Sequence, residues 1–389
     1  MRKLCLITTL LTITWLTTAS LRAEPIVIGQ TGKIQSAILG EQRDLLIYLP
    51  AGYANGQQHY PVLYLLDGPD NFHHTTGTLA GLVRAGHTPD LIVVGIANTD
   101  RTRDLTPTNL RRQEGEDGPD FPTSGGADAF LRFLTQELIP KVEAQYRTAP
   151  YRILVGHSFG GLFAIHALLT EPDAFQATIA ISPSLWWDDQ QPVQLARQTL
   201  VGNAPIRQRL FLTLGEERGD MMDGFLAMLD VLRFAAPETL QWQSRILEGD
   251  DHGSAPIAST RLGLQFLFDG WRMPQTAFQE GYEAVEAHYR RLTERYGYPI
   301  QPPEGIVNNL GYFALGNGQV EEAIRVFRKN VESYPDSANV YDSLGEALEA
   351  KGDLNAAREH YAKAIALAEK TDDRNLAVFR QHLERAAGK

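Results

Sequence analysis

The stretch VGHSFGGLF, residues 155–163, places Ser158 in the pattern Gly-x-Ser-x-Gly directly after the apolar run 151–154. A serine hydroxyl is a weak nucleophile. On a sharp turn between a strand and a helix it is held clear of its neighbours, and Gly156 and Gly160 remove side chains that would collide with the backbone. The amide of Phe159, opening the helix, would face negative charge developing on a carbonyl and serve as one oxyanion donor. Such equipment suits acyl transfer. A phosphate loop would need Lys and then Ser or Thr after Gly161, where Leu162 and Phe163 stand, and a dinucleotide fingerprint needs other glycine spacing. A structural glycine turn is the remaining alternative.

Chemistry at Ser158 demands an acid and then a histidine, each on a loop following a later strand. Of the ten histidines, His252 in LEGDDHGSAP alone meets this. His157 adjoins the serine but in such a turn points away from it; His166 lies one helix face further on; His288, His360 and His382 belong to helical stretches. The acid is expected in LGEERGDMMDG, with Glu217 the first choice and Glu216, Asp220 and Asp223 left open by spacing. Its task is to fix the His252 tautomer and stabilise the imidazolium.

The elements that must position these residues fall in the first two-thirds of the 389-residue chain. Short β-branched runs at 25–29, 44–49, 61–66, 91–97, 152–155, 178–181, 209–214 and 240–247 read as strands. Helical patterns cover 127–146, 159–170, 221–234 and 254–268. Early consecutive strands followed by βαβα alternation predict an α/β fold, a mostly parallel sheet covered by helices, over residues 24–272. Residues 277–296 read as one amphipathic helix with Tyr282, Val285, Tyr289, Leu292 and Tyr296 on its apolar face, closed by Pro299 and Pro302-Pro303 within a connecting segment 273–303. Residues 304–389 then repeat themselves at an offset of 34: Leu310 with Leu344, Gly311 with Gly345, Gly318 with Gly352, Ala323 with Ala357, Phe327 with Tyr361. That period and those residue types resemble the tetratricopeptide repeat, in which small residues let antiparallel helices approach and aromatics fill the groove. Two units need caps, expected from the 277–296 helix and a terminal helix, 375–385. The array would serve as a structural cap or self-association contact, or as a groove for a protein partner.

Taken together, LYLLDG, NTDRTRDLTP, PYRILVGHSFGGLFA, ISPSLWWD and GDDHG resemble an esterase family of α/β-hydrolases that contains siderophore (enterobactin-type) esterases, feruloyl esterases, esterase D and the mycolyltransferases. The resemblance spans roughly residues 30–270 and implies the α/β-hydrolase fold, with Ser158 as nucleophile, His252 as general base and the Phe159 amide as an oxyanion donor. In the mycolyltransferases the second donor follows Asp-Gly; here that position is Pro69, which has no NH, leaving Gly68 or Asp70. Trp186 and Trp187 would wall an acyl or aryl pocket or simply pack. Arg101 and Arg103 would contact an anionic or catechol substrate or form loop ion pairs, and His73 and His74 would line the site. No cofactor and no metal are implied, since the histidine pair has no partner carboxylate at helix spacing.

Composition narrows the setting. Residues 1–23 give Arg2 and Lys3, an apolar run and then small residues up to Ala23, the pattern of a secretory signal peptide. Cys5, the only cysteine, lies inside that run, so the mature chain would have no thiol nucleophile or thiolate metal site. The net charge is −11 and becomes more negative once those residues are removed, which disfavours nucleic acid and anionic membrane as partners. The expectation is an exported, periplasmic or secreted serine esterase acting on a small-molecule ester, with catecholate or trilactone siderophores as the leading substrates. An acyltransferase of the same fold, or a non-catalytic scaffold recruiting partners through its repeats, is the alternative.

Overall fold

In the computed structural model, residues 25–54, 56–111, 120–201, 206–371 and 373–388 are described. The expected signal peptide lies outside them. Among the described residues no helix is long and apolar enough to cross a membrane.

Among the described residues eight strands form one sheet: β1 (Gln30–Gln35), β2 (Gln42–Tyr48), β3 (Tyr60–Leu65), β4 (Ile92–Ile96), β5 (Thr148–His157), β6 (Ala177–Ile181), β7 (Arg209–Leu214) and β8 (Gln241–Ile246). Their spatial order is β1-β2-β4-β3-β5-β6-β7-β8. The pairs β1/β2 and β2/β4 are antiparallel, and all others are parallel. The helices are α1 (Gly68–Arg84), α2 (Arg101–Leu105), α3 (Ala127–Phe133), α4 (Ile139–Gln145), α5 (Phe159–Thr170), α6 (Trp187–Val201), α7 (Asp220–Ala235) and α8 (Ala255–Leu267). A π-helical stretch, Leu134–Leu138, joins α3 to α4. Pro140 follows it and has no NH for the usual i−4 bond, a local reason for the wider turn.

The central strands are mostly apolar and almost wholly buried because both faces of the sheet are covered. Leu63, Leu65, Val93, Ile153 and Val155 pack with Leu79 of α1 and Leu264 of α8. Their alternate neighbours Val62, Tyr64, Val94 and Leu154 pack with Phe130 and Phe163 on the other side. One expectation fails at the N-terminal edge. Residues 25–29 are not a strand: Ile26 and Val27 are 93% and 76% exposed. The first strand is the more polar QTGKIQ, held by backbone pairing to β2 rather than by an apolar face.

Beyond Trp271 the chain is helical: α9 (Gln275–Glu280), α10 (Tyr282–Tyr296), α11 (Glu304–Gly316), α12 (Val320–Ser333), α13 (Ala338–Lys351), α14 (Leu354–Thr371) and α15 (Leu376–Ala387). The single helix expected over 277–296 is broken at Gly281, where φ is +98°. Its apolar face is otherwise as anticipated, with Tyr282, Val285, Tyr289, Leu292 and Tyr296 all buried. A Cβ on Gly311 would lie 2.4 Å from the Phe327 ring, and one on Gly345 2.6 Å from the Tyr361 ring. The repeating glycine therefore makes room for the repeating aromatic. Tyr296 joins the array to the α/β part, with ring centroids 5.3 Å from Tyr151 and 5.4 Å from Phe268.

Candidate active site

Six loops leave the carboxyl edge of the sheet and carry the residues of interest, the usual location for a site in an open α/β sheet. After β5, Ser158 stands at φ 60°, ψ −116°, a conformation costly for any residue with a side chain. A Cβ on Gly156 would come within 2.1 Å of the Gly160 carbonyl oxygen. The turn can close this tightly only because Gly156 has no side chain. Phe159 begins α5, and its amide has no backbone acceptor among the described residues.

The acid and the histidine come from the loops after β7 and β8. His252 Nδ1 lies 3.0 Å from Glu217 Oε2, with the Glu217 side chain only 10% exposed. The spacing had left four acids open, and the geometry separates them. Glu216 accepts from the Gly249 amide at 2.9 Å and donates its own amide to the Asp250 carbonyl at 2.7 Å, clamping the two loops together. Asp220 and Asp223 lie exposed on the first turn of α7. A Cβ on Gly215 would meet the Asp250 carbonyl at 2.8 Å, so the loops approach closely there. After β6, Ser182 at φ 38° accepts the Gly215 amide at 3.1 Å and steadies the acid loop from the side.

After β3, Asp67 adopts a left-handed conformation, φ 51° and ψ 44°, and α1 starts at Gly68 with Pro69 in its first turn. That turn tolerates proline because its NH would have no intrahelical partner. The Asp70 amide donates to the Asp67 carbonyl at 3.1 Å. Of the two donors left by Pro69, only Gly68 has an amide with no backbone acceptor among the described residues. A Cβ on Gly68 would sit 2.7 Å from the Gly95 and Ile96 backbone, so this position must be glycine.

The remaining expected residues take different places. Arg101 forms a two-toothed ion pair with Asp67, 2.7 and 3.0 Å, and Arg103 pairs with Glu41 and Asp104 at 2.7 Å each. Both cations of NTDRTRD are thus engaged by carboxylates. Trp187 is fully buried, its indole NH bonded to Thr108 at 2.9 Å and its ring against Phe121 and Phe159. It packs the core behind the turn, whereas Trp186 is half-buried beside Phe159. His73 points outward from α1 into solvent. Its neighbour His74, bonded to Asn71 at 3.0 Å, lines the site instead.

A polar cleft of about 400 Å³ runs along this edge, lined by Asp67, Asn71, His74, Arg101, His157 and Gly253. His157 is a residue whose place the sequence pattern did not anticipate. Its ring lies 4.5 Å from that of His252, and burial, reinforced by His252 and Arg101, pushes its pKa down to about 4. It therefore presents a neutral ring to His252. Burial likewise holds His74 below the usual histidine range, with His73 adding to the effect. The periodic pattern around the serine gave no sign of the His157–His252 contact, because it depends on the distant 250–253 loop.

Comparison with known proteins agrees with this architecture. A family model described as "Putative esterase" matches residues 36–256, and a tetratricopeptide repeat model matches residues 305–370. The ferri-bacillibactin esterase BesA of Bacillus subtilis is 40% identical over 232 residues, covering 53% of this chain and 78% of the relative. The siderophore triacetylfusarinine C esterase of Aspergillus fumigatus is 32% identical over 264 residues, covering 57% and 86%. An IroE-like serine hydrolase from Shewanella oneidensis superimposes with a TM-score of 0.69 at 31% identity, over 79% of this chain and 99% of that one. With more than half of its length matched, the chain belongs to this esterase family of carboxylic-ester hydrolases and carries tetratricopeptide repeats behind the α/β domain.

Proposed function

We propose that the protein is a serine esterase working through an acyl-enzyme, with siderophore-type esters, catecholate or trilactone, as its substrates. The observation that carries the mechanism is the 3.0 Å Glu217–His252 bond on loops adjoining the strained turn that bears Ser158. His252 accepts the proton of Ser158 as Oγ bonds to the ester carbonyl carbon. The tetrahedral oxyanion is received by the Phe159 and Gly68 amides. Collapse breaks the bond to the alcohol oxygen, which takes the proton from His252 and departs. Water then attacks the acyl carbon, gives a proton to His252, and the carbon–Oγ bond breaks as that proton returns to Ser158. Glu217 holds Nδ1–H towards itself throughout, leaving Nε2 free for proton transfer.

The substrate class is supported by the similar proteins, a ferri-bacillibactin esterase and a siderophore triacetylfusarinine C esterase. Export through residues 1–23 belongs to the same proposal, and fractionation of cells producing the full chain and a chain starting at Glu24 tests it. The decisive assay compares the protein and Ser158→Ala on p-nitrophenyl butyrate and on a catecholate trilactone. A loss of at least about 1000-fold is expected. Equal rates would sink the mechanism, and activity on the aryl ester without the trilactone would sink the substrate class alone.

A further inference from the structure

The geometry points to Arg101 as a positioning residue: we infer that its guanidinium ties together the two loops that present the oxyanion donors, so that both amides are in place before substrate arrives. The inference rests on Ser158 being the nucleophile. One loop is Asp67-Gly68. Its carboxylate, 6% exposed, is gripped by Arg101 Nε at 2.7 Å and Nη2 at 3.0 Å, and Asn98 donates to it at 2.5 Å. The other loop is the serine turn. The same Arg101 Nη2 donates to the His157 carbonyl at 3.1 Å, and the guanidinium carbon lies 5.4 Å from the centre of the Phe159 ring. Asp67 Oδ2 itself rests only 3.3 Å from where a Cβ on Gly160 would stand. One side chain therefore touches the residue before Gly68, the residue before Ser158 and the side chain of Phe159.

The foundation of this strut is fixed independently. Asp100 caps the short helix α2 through the Arg103 amide at 3.0 Å. Asp104, buried, is paired with Arg103 and with the fully buried Arg43. Arg101 thus projects from a turn that is itself held by ion pairs. Its charge is opposed by Asp67, which makes it a poor anchor for an anionic substrate and a good brace. Oxyanion donors act by being placed in advance, and misplacement by about 1 Å is enough to lose most of their effect.

The test uses the full-length protein with Arg101→Ala, Arg101→Lys and Ser158→Ala, assayed on p-nitrophenyl butyrate and titrated with an alkylboronic acid that forms a tetrahedral adduct on the serine. For Arg101→Ala, kcat falls about 10- to 100-fold while KM stays within about 2-fold, and boronate affinity falls in step with kcat/KM. Arg101→Lys is intermediate, because an ammonium cannot reproduce the two-toothed fork. Added guanidinium ion recovers part of the Arg101→Ala rate. A raised KM with unchanged kcat would overturn the inference and make Arg101 a substrate ligand. Unchanged kinetics, or a kcat loss with boronate affinity intact and no guanidinium recovery, would also overturn it. If Arg101→Ala does not fold, Arg101→Lys carries the same split between kcat, KM and boronate affinity. Activity surviving in Ser158→Ala would instead remove the nucleophile assignment, a distinguishable failure.

Discussion

The α/β part and the helical part of this chain handle backbone strain in opposite ways. Among the described residues, the non-glycine positions with positive φ are Asp67, Ser158, Ser182, Asp188, Asp189 and Gln190, and all lie in the α/β part. In the helical part the positive-φ positions are glycines, Gly281, Gly297, Gly318 and Gly352, at helix boundaries where they cost little. Strained non-glycine residues persist only where their surroundings hold them, and they gather where geometry matters more than stability. Three of the six touch or bear the candidate machinery: Asp67 precedes the proposed oxyanion donor Gly68, Ser158 is the proposed nucleophile and Ser182 braces the loop of Glu217. The difference teaches that this chain concentrates precision at one sheet edge and builds the rest from relaxed, repetitive packing.

That contrast can be broken by substitution. The largest effect is expected from Glu217→Gln, which keeps the shape of the acid but removes its charge. Steady-state kinetics should show kcat/KM down by about 100- to 10,000-fold with the melting temperature almost unchanged. A small kinetic effect would mean that His252 is oriented by something else. The reverse pattern is expected from Gly345→Ala. Its new methyl would press on the Tyr361 ring, costing about 1–3 kcal/mol and lowering the melting temperature while kcat stays as in the parent. A fall in kcat of similar proportion would show that the repeats govern the site directly.

The smallest effect sharpens the contrast through pH. His157 has its pKa depressed from an ordinary 6.5 to about 4 by burial, so the folded form resists the protonation that the unfolded chain undergoes. Its contribution to stability is present above 6.5 and is lost as pH falls towards 4. Asp342 on α13 is the opposite case. Burial raises its pKa from 3.8 to about 6, although His382 on α15 approaches within 2.9 Å and, with Arg385, works against the rise, while Glu346 adds to it. Its contribution is present below 3.8 and is lost as pH rises through 6. Hydrogen exchange, corrected for its intrinsic pH dependence, should show α13 and α15 gaining protection relative to the end of β5 as pH drops from about 7 to about 4.5. Loss of protection in both regions together would contradict these assignments.

Much of this architecture was legible in the sequence because the signals were local or periodic. Alternating apolar runs gave most of the parallel strands, and an offset of 34 gave the paired glycine and aromatic of the repeats. Ser158 and His252 could be named as candidates from pattern and chain order, and the structure places them on loops at the same edge of the sheet. What escaped was set by contacts between distant loops. Glu217 was the first choice by position, but its separation from Glu216 needs the contacts themselves: Glu217 meets His252, while Glu216 is engaged with Gly249 and Asp250. For Arg101 and Arg103 the ion-pair alternative is the one found, but their partners Asp67 and Glu41 could not be named, being 34 and 62 residues away. The exposed run 25–29 misled for another reason: apolar composition predicts a strand only where something covers it.

Strand β5 has two ends with different neighbours. Near its start, Tyr151 meets Tyr296 of α10 and Phe268, while its last residue is His157, next to Ser158. The helical array is therefore seated on the far end of the same strand that holds up the reactive turn. A chain cut after Trp271 would strip Tyr151 and Phe268 of the Tyr296 cover and leave a wet aromatic wound at the foot of that strand. The helical part thus covers the sheet at the end of β5 away from Ser158, so its packing supports the strand without touching the candidate site.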